Sequence, residues 1–260
     1  MECVVLAGGR PLEGEPLWSE TRGRRKALLD LAGRPMIRWV LDALSGSRFI
    51  DRVIVVGLDE PLRPADGVEF VPDQGSLIGN LYAGIGRVAA GRPAVYCWSD
   101  IPLVTTAMID RFIEATADRD LDVNAGLVAR SALLARYPDA EDLWLRLAEG
   151  RFIAADFGLF HPRHAARLRP HLEVLAPKRK NAISQALYVG FPVLARYLLG
   201  RLSMARLERH LERRFALRCH VRIVEDPELG LDVDGPVNLA ICRQALERRP
   251  PPGSPGSPAR

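Results

Sequence analysis

Cys3-Val4-Val5-Leu6-Ala7-Gly8-Gly9-Arg10 decides the reading of the fold. Residues 3–6 are an apolar run of strand length, and they lead into two glycines and a cation. Glycine lets a backbone approach a ligand closely, and successive amides at a strand end form a nest for an anion. The spacing is not Gly-x-Gly-x-x-Gly, because no third glycine opens a helix directly, and no Gly-Lys-Ser/Thr follows as in a P-loop. A polar loop over residues 11–25 leads instead to Lys26-Ala27-Leu28-Leu29.

Downstream, strand-length apolar runs alternate with helix-period segments, the pattern of βαβ units and a largely parallel sheet. Residues 35–44 read as a helix with Pro35 at its first position. Strands follow at 52–56 and 68–71, a helix at 77–88, and a strand at 94–98 that ends on Ser99-Asp100-Ile101-Pro102. Thr105 suits the cap of a helix over 106–116. Residues 1–117 are thus a doubly wound α/β unit. Its strands are apolar on both faces, which places them inside the sheet.

The second half is less regular. Strands are expected at 122–128, 143–147, 152–160 and 218–224, with a hairpin at Glu149-Gly150. Residues 181–215 form a helical insertion broken at Gly190 and Pro192, and 234–246 a last capped helix. The Pro-, Gly- and Ser-rich tail at 249–260 buries nothing and is expected to be disordered. One domain over 1–248 results, with a first half over 1–117 and a second over 118–248.

Composition narrows the function classes. The chain has 260 residues and a net charge of +4; of its 36 basic residues only Lys26, Lys178 and Lys180 are lysine, and 33 are arginine. No apolar run reaches the roughly 18 residues of a membrane span, so no membrane partner is expected. Gly8-Gly9-Arg10 cuts the first apolar stretch short of a signal peptide. Cys3, Cys97, Cys219 and Cys242 form no Cys-x-x-Cys pair and are expected as reduced, buried thiols of a cytoplasmic protein. The arginines are spread over helix surfaces such as 206–214, with no basic stripe interleaved with aromatics, so nucleic acid is not expected either. His161, His164 and His171 have no cysteine or carboxylate at ligand spacing.

Several separated motifs carry a resemblance. Val5-Leu6-Ala7-Gly8-Gly9, Lys26, Leu31-Ala32-Gly33-Arg34-Pro35-Met36, Ser99-Asp100-Ile101-Pro102 and Leu231-Asp232-Val233-Asp234-Gly235-Pro236 occur in the order found in MobA-like nucleotidyltransferases. Gly75-Ser76-Leu77-Ile78-Gly79-Asn80-Leu81 is similar to that family's stretch near the base and ribose. The resemblance implies the nucleotide-diphospho-sugar transferase fold, a Rossmann-like α/β/α sandwich on a mostly parallel mixed sheet, with 1–117 as the nucleotide-binding half and 118–248 as the acceptor-binding half. It also implies Mg²⁺-dependent transfer of a nucleoside monophosphate from an NTP to a small phosphorylated acceptor, releasing pyrophosphate.

On that reading Leu6, Ala7 and the Gly8 and Gly9 amides, with Arg10, hold the nucleotide's phosphates. Lys26 faces the α-phosphate, and Ser76 and Asn80 meet base or ribose, although both also suit a helix cap. In an α/β sheet the ligand lies beyond the carboxyl ends of the strands, which puts Gly8, Gly9 and Asp100 on one rim. Asp100 holds the metal, with Asp234 or Asp232 as second carboxylate; Asp234 also stands where a helix N-cap would. Lys178 and Lys180 are candidates for the acceptor's phosphate. Within 181–215, Tyr188, Phe191, Tyr197 and Leu198 either complete the core, shape the acceptor pocket or meet a second copy in a homodimer. The loop departs from the common family form by placing Glu13, Glu15 and Glu20 where Gly and Arg usually follow the double glycine. A glycosyltransferase of the related fold would show Asp-x-Asp at 99–102, where this chain has a single carboxylate. A non-catalytic nucleotide-binding module would not need Lys26, Asp100 and Asp234 together.

Overall fold

The computed structural model describes residues 1–58, 67–116, 121–178 and 181–249. Lys180, the boundary between the halves at 117–118 and the tail from 250 onward lie outside the described residues. The first half contributes β1 (Glu2–Leu6), α1 (Trp18–Thr21), a short ribbon of β2 (Asp30–Leu31) and β3 (Arg34–Pro35), α2 (Met36–Ser45), β4 (Arg52–Val56), β5 (Val68–Val71), α3 (Leu77–Ile85), β6 (Ala94–Trp98) and α4 (Thr106–Glu114). The second contributes β7 (Val123–Ala129), α5 (Arg130–Arg136), β8 (Leu145–Leu147), β9 (Gly150–Phe160), α6 (Ala165–Leu175), α7 (Ala182–Val189), α8 (Phe191–Leu198), α9 (Met204–Phe215), β10 (Cys219–Val224) and α10 (Pro236–Glu247).

The sheet runs β10-β7-β9-β6-β1-β4-β5, with β8 hairpinned onto β9. β1 is parallel to both β4 and β6, β4 to β5, and β10 to β7, whereas β9 is antiparallel to β6, β7 and β8. Side chains alternate along a strand, so a strand apolar at every position feeds two cores. Cys3 and Val5 of β1 join Ile37, Val40 and Leu44 of α2 and Ile109 of α4 on one face. Val4 and Leu6 face the other way, with Ile54 and Val56, under Leu77 and Leu81 of α3. Gly84 allows that helix to sit so close: a Cβ there would lie 2.3 Å from Val4 Cγ1. A third, smaller cluster joins Leu127, Leu147 and Phe152 to Ala186 of α7, Val193 of α8 and Leu202.

Several expectations are corrected. β5 is an edge strand, paired only on its β4 side, and three of its four residues are partly exposed. Pro35 ends the β2–β3 ribbon and stands just before α2, because its fixed φ suits the extended backbone there as well as a first turn. The insertion breaks at Gly190, whose φ of +151° only glycine adopts freely, and again across 199–203. Pro192 breaks nothing, since it lies in the first turn of α8, where no backbone N–H is needed. Gly235, not Asp234, stands at the N-cap of α10. Arg249 donates to the Leu103 carbonyl at 2.8 Å, so the chain is still docked at the residue where the tail was expected to begin. Cys219 is half-buried, while the other three free thiols are buried. Helices α5 and α6 have no counterpart in the sequence reading.

Gly84→Ala tests the packing of α3 on β1. Alanine favours the helix by about 1 kcal/mol over glycine, but the new methyl would clash with the stiff, fully buried Val4. Overpacking of this kind costs about 1–3 kcal/mol, and a lowered urea midpoint at unchanged slope is expected. A stabilised variant would contradict the packing.

Candidate active site

The site is built where β1, β4 and β6 end together. After β1, the Ala7 amide donates to the Val56 carbonyl at 2.8 Å and holds the turn against the end of β4. Gly57 follows β4 with a φ of +100°, and a Cβ on it would come within 2.5 Å of Gly8 N and Cα. Gly8 is equally constrained, since its Cβ would fall 2.3 Å from Asn80 Nδ2. Gly9 is different: it is exposed, and a side chain there would meet only Lys26 Cε at 4.0 Å. The first glycine is therefore demanded by internal packing and the second leaves open space above the turn.

Arg25, which the sequence reading passed over, ties this turn to α3. Its guanidinium donates to the Gly8 carbonyl at 2.6 Å and to Asp73 Oδ2 at 2.9 Å. Asp73 Oδ1 accepts from Asn80 Nδ2 at 2.8 Å, and Asn80 Oδ1 accepts from the Gln74 amide at 2.7 Å. The Asp73 carboxyl has some burial against it, but the hydrogen bonds from Asn80 and Arg25 outweigh this and hold it below the usual carboxylate range. Asn80 thus directs its amide inward, and the Ser76 hydroxyl accepts from the Gly79 amide at 3.0 Å as the cap of α3. Both still border the cleft, as does Leu6; Ala7 is buried and does not.

The next residue, Lys26, is the centre of the site. Its amide donates to the Gly9 carbonyl at 2.8 Å, which fixes it beneath the turn. Its ammonium lies 2.5 Å from Asp100 Oδ2 and 2.6 Å from Asp234 Oδ1. Burial alone would push the lysine pKa down, yet the two carboxylates more than reverse this and keep the ammonium charged beyond its ordinary range. Asp100 is delivered by the end of β6, where the Ser99 amide donates to the Leu6 carbonyl. Asp234 is delivered by the strand-like segment before α10, because the Val233 amide donates to the Asp100 carbonyl at 2.9 Å.

Asp100, Asp232 and Asp234 bring carboxylate oxygens within 4.8 Å of one another. Asp100 Oδ1 is buried and has no hydrogen-bond partner, an expensive state for a carboxylate oxygen unless a cation approaches it. Burial and the charges of Asp100 and Asp234 push the Asp232 carboxyl up to about 8. Hard oxygen donors crowded in this way fit a divalent cation such as Mg²⁺. Glu141, Asp142 and Asp156 border the same cleft. Burial, then Asp100 and Asp232, raises Asp156 well above the usual carboxylate range. A lone acid inside the apolar run 152–160 was a signal in the sequence that went unused. Asn238, buried in α10, clamps the group: its side-chain amide donates to the carbonyls of Asp232 (2.9 Å) and Glu141 (3.0 Å) and accepts from the Glu141 amide.

These residues border a cleft of about 1130 Å³, whose lining includes Gly8, Gly9, Arg10 and Lys26 as well as Asp142 and Asp156. Lys178 does not border it. Its ammonium donates to the Val174 carbonyl at 3.2 Å and finishes the last turn of α6, a common use of lysine near a helix C-terminus.

A family model for the MobA-like NTP transferase domain matches residues 3–223. A hypothetical transferase from Thermus thermophilus superposes with a TM-score of 0.78 and 30% identity, over 92% of this chain and 98% of the other. The 2-C-methyl-D-erythritol 4-phosphate cytidylyltransferase of the same organism shares the fold at a TM-score of 0.50 and 18% identity, over 96% and 100% of the two chains. In sequence, the 3-deoxy-manno-octulosonate cytidylyltransferase of Bdellovibrio bacteriovorus is 31% identical over 110 residues, 39% of this chain; the match spans less than half of that relative, 43% of its length. With the double glycine, Lys26 and the carboxylates gathered on one rim of the matched fold, the chain belongs to the MobA-like NTP transferase family, the nucleotidyltransferases built on the nucleotide-diphospho-sugar transferase fold.

Proposed function

We propose that this chain transfers a nucleoside monophosphate from an NTP to a small phosphorylated acceptor and releases pyrophosphate. The observation that carries the reading is the Lys26 ammonium held between Asp100 and Asp234 directly beneath the Gly8-Gly9 turn. An acceptor phosphate oxygen attacks the α-phosphorus in line, the new P–O bond forms, and the bond to the β-phosphate oxygen breaks with its electrons leaving on pyrophosphate. The acceptor oxygen is already ionised near neutral pH, so no general base is required. Catalysis then consists of positioning and charge neutralisation.

The Gly8 and Gly9 amides and Arg10 are assigned to the β- and γ-phosphates, and Lys26 to the α-phosphate. Lys26 acts as a fixed cation, because its two carboxylates keep it protonated throughout the working pH range. Asp100, with Asp232 and Asp234, would hold the divalent cation; such an ion withdraws charge from the transferring phosphoryl group and the leaving pyrophosphate. Ser76 and Asn80, which border the cleft, are assigned to the nucleoside. Two of the relatives named above are cytidylyltransferases, which makes CTP the first donor to assay.

Incubation with each NTP, Mg²⁺ and a panel of phosphorylated sugars, alcohols and acids should release pyrophosphate with one donor–acceptor pair, and chelation by EDTA should stop it. No release from any combination would overturn the reading. Lys26→Ala and Asp100→Ala should each lower turnover by about 10²–10³-fold, the loss typical of removing one preorganised charge-stabilising group, with circular dichroism unchanged. Near-normal turnover in either variant contradicts the assigned roles. Arg25→Met, which frees the Gly8 carbonyl and Asp73, should raise the NTP KM about tenfold, or roughly 1.4 kcal/mol, while changing kcat less. An unchanged KM would remove Arg25 from the phosphate grip.

A further inference from the structure

The helical insertion carries a surface that the cleft does not use. α7 and α8 close the small third core through Ala186 and Val193, with Val189, Leu194 and Tyr197 packed against it. The other side of the same two helices is also apolar, and it is open. Ile183, Leu187, Phe191, Leu198 and Leu199 are 52–73% exposed. Ile183 and Leu187 stand one turn apart on α7 and Phe191 and Leu198 two turns apart on α8, so each pair shares a helix face. Completing the core therefore accounts for the inward residues alone.

The charge of the chain is concentrated in the same region. The insertion, residues 181–215, contains six Arg against two Glu, a net of +4 that equals the total of the whole chain. The arginines of α9 are not scattered, as the sequence reading had them. Arg206, Arg209 and Arg213 are exposed at i, i+3 and i+7 and form one stripe. Partial burial, followed by Arg196 of α8 and Arg213 and Arg209 of α9, holds the His210 imidazole below its ordinary range, so arginines from both helices act on one place.

We infer that the outer face of α7, α8 and α9 docks on an anionic lipid bilayer surface, with the aliphatic and Phe191 side chains entering the headgroup boundary and the arginines meeting lipid phosphates. Exposed apolar residues beside a dense arginine field are the composition of a helix that lies in the plane of a membrane interface. No helix among the described residues is long and apolar enough to cross a membrane, which excludes spanning by those helices and leaves surface attachment. A second copy docked through the same face would set like-charged arginines against each other. A nucleic acid would match the arginines but give no use to five exposed aliphatic and aromatic side chains. The inference is independent of the transferase reaction.

Co-sedimentation of the full chain with phosphatidylcholine vesicles, and with vesicles containing about 30% phosphatidylglycerol, tests it at about 0.1 M salt, where surface charges still act over roughly 10 Å. Partition onto the anionic vesicles should be at least about tenfold higher and should fall as salt is raised. It should drop about tenfold in Phe191→Asp/Leu198→Asp and, separately, in Arg206→Glu/Arg209→Glu/Arg213→Glu. The wild-type comparison between the two vesicle types needs no variant to fold. Equal partition, no binding to anionic vesicles, or binding unaffected by both variants would overturn the inference. So would a dimer in size-exclusion chromatography that Phe191→Asp/Leu198→Asp dissociates, or duplex DNA binding that depends on the arginines but not on Phe191 and Leu198.

Discussion

The contact between the Lys26 ammonium and the carboxylates of Asp100 and Asp234 organises the site, because it joins three segments far apart in the chain. Lysine at 26 follows the glycine turn, Asp100 ends β6, and Asp234 precedes α10. Each is also fixed by its backbone: Lys26 to Gly9, the strand-end residue Ser99 to Leu6, and Val233 to Asp100. The charges are therefore positioned by the sheet itself. Bringing three acids to within 4.8 Å of each other is unfavourable in isolation, and the Lys26 ammonium offsets part of that repulsion. What remains, a buried Asp100 oxygen without a partner and surroundings negative enough, together with burial, to push the Asp232 carboxyl up to about 8, suits a divalent cation.

Around that centre the chain spends buried polar residues on holding backbone. Arg25, Asp73 and Asn80 form one connected network between the glycine turn and the start of α3. Asn238 does the same between the acidic segment and the loop at Glu141. Networks of this kind are stable only when every member is paired, and they resist loosening for the same reason. Their effect is a cleft bordered both by the glycine turn with Arg10, Arg25 and Lys26 and by carboxylates.

Much of this was legible in the sequence. β1, β4 and β6 declare themselves because strands buried on both faces must be apolar throughout, and the same rule misplaced β5, whose short apolar run lies at the edge under partial cover. Asp100 was legible from its place at a strand end before Ile101-Pro102. Arg25, Asn238 and Asp156 were not singled out, since the importance of the first two lies in partners as far as 48 and 97 residues away and that of the third in the inward pleat of β9. Scarcity marked Lys178 without showing where its side chain goes; it finishes a helix and does not border the cleft. The arginine stripe of α9 was hidden by reading charge as a total, when a 3.6-residue period was what aligned it.

The central claim is that the Lys26, Asp100 and Asp234 cluster under the glycine turn is a nucleotide site. Thermal unfolding of the full chain with each NTP in the presence and absence of Mg²⁺ tests it most directly, because a ligand that binds only the folded state raises the transition by mass action. At least one NTP should raise the transition when Mg²⁺ is present, and the same NTP should leave Lys26→Met unmoved relative to its own nucleotide-free transition. A chain that no NTP stabilises, or a Lys26→Met variant stabilised as much as the parent, would contradict the account.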